Sequence, residues 1–256
     1  MTHLSDIIRM FQDDTHPDFA VQPIVSITRT QILGHEFLFR MHGPGGMMHP
    51  ESVIATADEH GILSDVDQHL FAAALAMIDD PIHGPGYINL FPTTIYDDKA
   101  MEAMAATIGR GSNVVVELSE KARIADWKAV MPRVRELQQS GVSFALDDFG
   151  AGTSNIIALS AVAFDYVKFD KDLVHAARED NRARALMESA VAMCADAGCM
   201  TVAEGIETPA DEALAKAAGF GAIQGFGIAE PMRVSEHALL VQSGSKGVFS
   251  NLCPTR

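Results

Sequence analysis

Ser143-Phe144-Ala145-Leu146-Asp147-Asp148-Phe149 is an apolar run of strand length that ends on two adjacent carboxylates. Side chains alternate faces along a strand, so Asp147 shares a face with Ala145 and stands late in the run. Similar runs recur on both sides: Gln22 to Ile27, Ile32 to Arg40, Tyr87 to Phe91, Asn113 to Ser119, Tyr166 to Asp170, Cys199 to Ile206 and Ala222 to Ile228. Helical patterns lie between them, such as Asp126 to Ser140, Asn181 to Ala197 and Pro209 to Ala218. In the second of these, Leu186, Ala190, Met193 and Ala197 fall three to four apart and mark the expected buried face. Strand and helix alternating about eight times predicts an α/β fold, a TIM-like (β/α)8 barrel rather than an open sheet. Thr28-Arg29-Thr30 is too short for a helical crossover, so the first two strands are predicted to be antiparallel.

A chain of 256 residues matches one such barrel, which takes about 250. The expected division is an amphipathic helix (Leu4, Ile7, Ile8, Phe11) and polar connector over 1–18, the barrel over 19–241, and a tail over 242–256. Acidic residues outnumber basic ones 34 to 19, a net charge of −15 that argues against binding polymeric nucleic acid. The longest apolar run, Phe71 to Ile78, is far too short to cross a membrane. Met1-Thr2-His3-Leu4-Ser5-Asp6 lacks the basic start and apolar stretch of a secretion signal. Cys194, Cys199 and Cys253 cannot all pair and show no zinc spacing. The expectation is a reduced, cytoplasmic protein without membrane insertion.

Several polar residues stand late in these apolar strands, where barrels place active sites. Glu36 aligns with Leu38 and Arg40, whereas His35, Phe37 and Phe39 share the opposite face and suit packing against outer helices. Asn89 aligns with Tyr87, Glu117 with Val115, Lys168 with Tyr166, Glu204 with Val202, and Gln224 with Ala222. Taken singly, each acid reads as a satisfied strand-end residue. Gathered at one barrel mouth, Glu36, Glu117, Asp147, Asp148 and Glu204 are five carboxylates facing Lys168 and Arg40. Like charges that close do not all stay ionised unless cations compensate them. Oxygen-only donors, with the Asn89 amide, suit Mg²⁺ or Mn²⁺ rather than zinc. Gly150-Ala151-Gly152 resembles half of a dinucleotide fingerprint but lacks the third glycine. The eight histidines before residue 84 show no ligand spacing and read mostly as surface residues. Met41, Met47 and Met48 around Gly43-Pro44-Gly45-Gly46 read as a mobile loop.

Ordered motifs then point to a family. Gln22-Pro23-Ile24-Val25 followed by Glu36-Phe37-Leu38-Phe39-Arg40 resembles the opening of the EAL-domain cyclic di-GMP phosphodiesterases. Ile88-Asn89-Leu90, Val116-Glu117-Leu118-Ser119-Glu120, Asp147-Asp148-Phe149-Gly150-Ala151-Gly152, Val167-Lys168-Phe169-Asp170, Ala203-Glu204-Gly205-Ile206-Glu207-Thr208 and Gln224-Gly225 continue the resemblance in family order. It implies that Glu36, Asn89, Glu117 and Asp147 hold one metal ion, and Asp147, Asp148 and Glu204 a second, with Mg²⁺ or Mn²⁺ expected. Lys168 would orient or help deprotonate the attacking water, giving linear 5′-pGpG. Gln22, Arg40 and Gln224 would grip the cyclic dinucleotide, and Glu207 would support the metal site from behind. Glu120 would tether the loop after Asp148, a segment through which the family resemblance implies a homodimer. The chain departs from the pattern at Phe37, at Ala151-Gly152-Thr153-Ser154-Asn155, and at Glu230 before Pro231. Those departures leave a catalytically silent, nucleotide-binding or partner-binding EAL-like domain as the rival expectation.

Overall fold

A computed structural model describes residues 4–12, 17–43, 46–78, 84–108, 113–119, 127–151 and 155–236. In chain order the elements are α1 (Leu4–Gln12), β1 (Asp18–Ser26), β2 (Ile32–Gly43), β3 (Gly46–Met48), α2 (Pro50–Glu59), α3 (Leu63–Ile78), β4 (Gly86–Leu90), α4 (Pro92–Ile95) and α5 (Asp98–Thr107). There follow β5 (Val114–Ser119), α6 (Trp127–Gln139), β6 (Ser143–Phe149), α7 (Asn155–Ala161), β7 (Tyr166–Phe169), α8 (Lys171–Glu179), α9 (Asn181–Asp196), β8 (Met200–Ala203), α10 (Pro209–Ala218), β9 (Ala222–Ile223) and β10 (Met232–Arg233). The sheet runs β2-β4-β5-β6-β7-β8-β9 in parallel, and β1 closes it by pairing antiparallel with both β2 and β9. It is the expected eight-stranded barrel with an antiparallel first pair. The β3 and β10 strands extend the sheet outside the ring, on β2 and β1.

Strand alternation divides the barrel's side chains into two populations. Ile24, Tyr87, Val115, Ala145, Val202 and Ala222 pack inside the ring with Leu33 and Tyr166 and form its apolar floor. The Tyr87 and Tyr166 rings meet edge to face, 5.3 Å apart, and fill the lumen. The opposite faces, including Phe37, Ile88, Val116, Leu146, Val167 and Phe169, join the large core between sheet and helices. His35 belongs to this outer population and is buried, as expected of the face it shares with Phe37. The alternation that put it opposite Glu36 also buries it, because this strand is covered on its outer face.

Three sequence expectations shift. The buried face of α9 is Met187, Val191 and Cys194, while Leu186 and Met193 are exposed. Two overlapping rows of apolar residues fit the helical period there, and only contact with the sheet selects between them. In α1, Ile7 is buried but Ile8 faces outward, and the following strand already includes residue 18. The last two barrel strands are shorter than their apolar runs, and after β8 Gly205 adopts a left-handed conformation (φ 66°) that turns the chain out of the sheet. The freed segments then bind each other, with Ile206 N–H donating to Gln224 O and Gly227 N–H to Ile206 O.

Phe37 stands between Glu36 and Leu38, at one of the positions where the chain departs from the EAL pattern it resembles. Its ring lies 5.9 Å from that of Phe19, edge to face, on the outer side of the barrel. Space for it comes from Gly86, where an added Cβ would stand 2.9 Å from the Phe37 ring and 2.4 Å from Ile78. Phe37→Ala is expected to cost about 3–5 kcal/mol of stability and Gly86→Ala about 1–3 kcal/mol. Denaturant unfolding of the double variant should show a loss smaller than the sum of the two, and strict additivity would refute this packing account.

Candidate functional site at the barrel mouth

Two residues above the apolar floor, each barrel strand or its end carries one polar side chain: Gln22, Glu36, Asn89, Glu117, Asp147, Lys168, Glu204 and Gln224. The pairing registers bring these together, setting Gln22 opposite Glu36 and Asn89 opposite Glu117. Lys168 is at the centre. Its ammonium Nζ lies 2.8 Å from Glu117 Oε1 and 2.8 Å from Glu204 Oε1, and 3.2 Å from both Glu36 Oε2 and Asp147 Oδ1. Lys168 and Glu117 are essentially inaccessible to solvent.

Amides close the ring between the charges. Asn89 Nδ2 donates to Glu117 Oε2 at 3.1 Å and to Glu36 Oε1 at 3.4 Å. Gln224 Nε2 donates to Glu36 Oε2 at 2.6 Å and to Gln22 Oε1 at 3.1 Å, and Gln22 Nε2 donates in turn to Ala229 O. The two glutamines are thus held from both sides before any ligand arrives.

Asp148 stands apart from the ammonium. β6 and β7 pair Leu146 with Val167 and then Phe149 with Phe169, so Asp147 and Asp148 together oppose Lys168 alone. This is a β-bulge, and Asp148 takes the left-handed backbone conformation at φ 58°. Ser119 Oγ–H donates to Asp148 Oδ2 at 2.8 Å. The bulge is why two consecutive acids, which simple alternation would send to opposite faces, both border the mouth.

Burial pushes the carboxyls of Glu117, Asp147 and Glu204 above their usual range, and Lys168 counters this only in part. Burial also acts against the Lys168 ammonium, but Asp147, Glu117, Glu204 and Glu36 outweigh it and hold that group well above the ordinary lysine range. Proton abstraction from water needs a neutral amine, so this setting favours Lys168 as a fixed positive charge. One ammonium does not balance four carboxylates, and the all-oxygen donor set of Glu36, Asn89, Glu117, Asp147, Asp148 and Glu204 fits hard divalent cations.

The remaining expected residues lie elsewhere. Arg40 folds back on its own strand, donating to Leu38 O and Phe39 O, and does not join the Lys168 cluster. Glu207 is exposed in the turn before α10, carried outward by the bend at Gly205, and its backbone N–H donates to Asp211. Glu120 lies outside the described residues, as do Gly152, Thr153 and Ser154 of the loop after Asp148.

Beside the mouth is a cavity of about 340 Å³, walled by apolar side chains of β2, α2, α3 and β4 and bordered by Arg40, Asn89, Asp147 and Asp148. Asp67 of α3 also lines it, a residue the sequence reading missed. It is only 2 % exposed and accepts hydrogen bonds from Phe91 N–H at 2.9 Å and from the Thr94 hydroxyl. These bonds tie α3 to Phe91 and to the short α4, directly after the strand carrying Asn89. Burial raises the Asp67 carboxyl to about 8, outweighing both hydrogen bonds. An isolated acid within an amphipathic helix gives no signal in a single sequence, although its place on the buried face (Leu63, Val66, Asp67, Phe71) was available as a hint.

Fold and mouth together define a closed α/β barrel with an acid-lined, lysine-centred pocket at the C-terminal ends of its strands. The EAL domain model matches residues 7–231, and the chain belongs to that family. It is similar to the probable cyclic di-GMP phosphodiesterase PdeN of Escherichia coli, 25% identical over 228 residues, which are 85% of this chain and 44% of that protein. It is also similar to the cyclic di-GMP phosphodiesterase RocR of Pseudomonas aeruginosa, 25% identical over 253 residues, 94% of this chain and 64% of that protein. The chain thus spans less than two thirds of either curated relative. Among solved structures, the PaMucR phosphodiesterase in complex with c-di-GMP superposes with a TM-score of 0.82 at 21% identity, covering 91% of this chain and 98% of that one, a likeness of fold.

The buried acids fix the sign of a pH response. A carboxyl whose folded value is raised binds more protons when folded, so stability falls as pH rises from the unfolded value to the folded one. For Asp67 that window runs from 3.8 to about 8. Unfolding measured in chelator should therefore weaken steadily from about pH 4 to 8, by up to about 1.4 kcal/mol per pH unit for one such acid. Asp67→Asn should flatten the slope, and an unchanged slope would contradict the burial argument.

Proposed function

We propose that this chain is a metal-dependent phosphodiesterase that hydrolyses cyclic di-GMP to linear 5′-pGpG in the cytoplasm. The observation that carries the reading is the convergence of Glu36, Glu117, Asp147 and Glu204 on one buried ammonium, in a family whose curated members include cyclic di-GMP phosphodiesterases. Glu36, Asn89, Glu117 and Asp147 would hold one divalent cation, Mg²⁺ or Mn²⁺, and Asp147, Asp148 and Glu204 another. Such ions supply Lewis-acid activation of water near neutral pH and screening of phosphoryl charge. Asn89 now presents its amide nitrogen to the acids, and a half-turn of that amide would present its oxygen instead.

The chain's own groups do the rest. Lys168 contributes a fixed positive charge beside the attacked phosphate, which favours the charge that builds in the transition state. Gln22 and Gln224, locked by their mutual hydrogen bond, offer amide groups to the dinucleotide, and Arg40 borders the same space. The apolar cavity next to Asn89 and Asp148 suits a purine base, with Asp67 holding Phe91 and Thr94 in place along its wall. The exposed Ile156 and Ile157 of α7, 65% and 63% accessible, support homodimerisation through the segment after Asp148.

Chromatography after incubation with cyclic di-GMP and Mn²⁺ or Mg²⁺ is expected to show 5′-pGpG, and none in chelator. Tight binding with intact nucleotide would instead indicate a silent effector domain. Ca²⁺, with longer and looser coordination, should support binding better than turnover. Glu36→Gln should cut turnover by about a hundredfold or more with little change in nucleotide affinity, while Asp67→Ala should chiefly weaken affinity. The reverse pattern would exchange their roles. Ile156→Asp with Ile157→Asp should yield monomers in sedimentation, and an unchanged dimer would place the interface elsewhere.

A further inference from the structure

We infer that the Lys168 ammonium is the resident counter-cation of the mouth, and that divalent cations bind by displacing it from the carboxylates, so that Lys168 sets the charge an entering ion must carry. The inference rests on the metal reading above and concerns how the site is filled. Glu36, Glu117, Asp147 and Glu204 come from four different parts of the barrel, yet all approach the same point, and Nζ holds it at 2.8–3.2 Å. Among the described residues, the mouth included, no three acid, imidazole or thiol groups stand ready-arranged to hold a metal ion. A cation therefore joins these oxygens only if Nζ gives up some of them.

Donor arithmetic makes the arrangement exchangeable. An ammonium has three hydrogens, so four carboxylates share three directed bonds and one is always held by charge alone. The Lys168 side chain is 99% buried, whereas the Glu36, Asp147 and Glu204 side chains keep 11%, 12% and 20% of their surface open, so an entering ion can reach them from the mouth. A sodium or potassium ion brings the same single charge as the ammonium and no directed hydrogens, so it gains nothing by exchange. A divalent ion doubles the Coulomb attraction at comparable distance and offsets the cost of moving Nζ. The apolar floor beneath, Tyr87 and Tyr166 included, denies the four acids other counter-ions from below.

A lysine that only propped up the site would give the opposite sign: removing it would loosen the carboxylates and weaken cation binding. Under displacement, Lys168→Met removes both the competitor and a repelling charge. Calorimetric titration with Mn²⁺ alone should show binding at least about tenfold tighter in Lys168→Met than in the unaltered chain. Lys168→Arg, which keeps the charge, should not tighten it. In chelator the methionine variant should melt lower, and it should gain more from Mn²⁺. Equal or weaker Mn²⁺ binding in Lys168→Met overturns the inference. The unaltered chain gives a second measure that needs no variant: ¹⁵N NMR of the lysine ammonium groups. Mg²⁺ should shift or remove the Lys168 resonance while Na⁺ at matched ionic strength leaves it, and an unmoved resonance at saturating Mg²⁺ overturns displacement. If neither chain binds Mn²⁺, the metal reading itself fails and takes displacement with it. Mg²⁺-dependent turnover with weakened Mn²⁺ binding in Lys168→Met rejects displacement alone.

Discussion

Four carboxylates delivered by separate barrel segments meet a single, fully buried ammonium at the barrel mouth. Burying such an assembly is costly, because each ion loses hydration that mutual attraction restores only when the geometry is good. The barrel supplies that geometry. Each parallel strand contributes one inward position per two residues, and the closing pair of Gln22 and Glu36 completes the circle from the antiparallel side. The energy that holds the strands in place comes from elsewhere: the apolar floor below the charges and the larger core between sheet and helices. Charge at the mouth is thus a demand that the rest of the fold is built to meet, and it selects positively charged occupants.

Two local departures from regular geometry shape what the mouth can accept. The bulge at Asp147 and Asp148 lets adjacent acids serve one site, one against Lys168 and the other against Ser119. The left-handed turn at Gly205 ends the strand as soon as Glu204 has been delivered and frees the following chain to lock onto Gln224 and Gly227. Both lie at the C-terminal rim, where function concentrates in barrels. On the same rim Asp67 ties α3 to the turn after Asn89, so the wall of the cavity and one potential ligand share a support.

Period-two alternation in a single sequence was enough to place Asn89 above Tyr87, Glu117 above Val115 and Lys168 above Tyr166, because these strands are short, inwardly crowded and leave no freedom of face. The antiparallel opening was legible from the length of one turn. What escaped was whatever depends on contacts between distant segments. Asp67 is unremarkable in its helix and acquires meaning only from Phe91 and Thr94. Arg40 shares a face with Glu36 in sequence terms, but its guanidinium finds the carbonyls of its own strand before it finds the acids. The buried side of α9 was misjudged because two apolar rows satisfy the same period. Glu207 follows Glu204 by three residues, yet a single left-handed glycine carries it out of the site.

The decisive property of the acidic mouth is whether it gathers divalent cations. A crystal structure of the chain grown with Mn²⁺, with anomalous differences collected at the manganese edge, measures this directly. The account predicts two peaks, one among Glu36, Asn89, Glu117 and Asp147 and one among Asp147, Asp148 and Glu204, with Lys168 Nζ withdrawn from part of its present carboxylate shell. A map without peaks there, with Lys168 still held by all four acids, would contradict it.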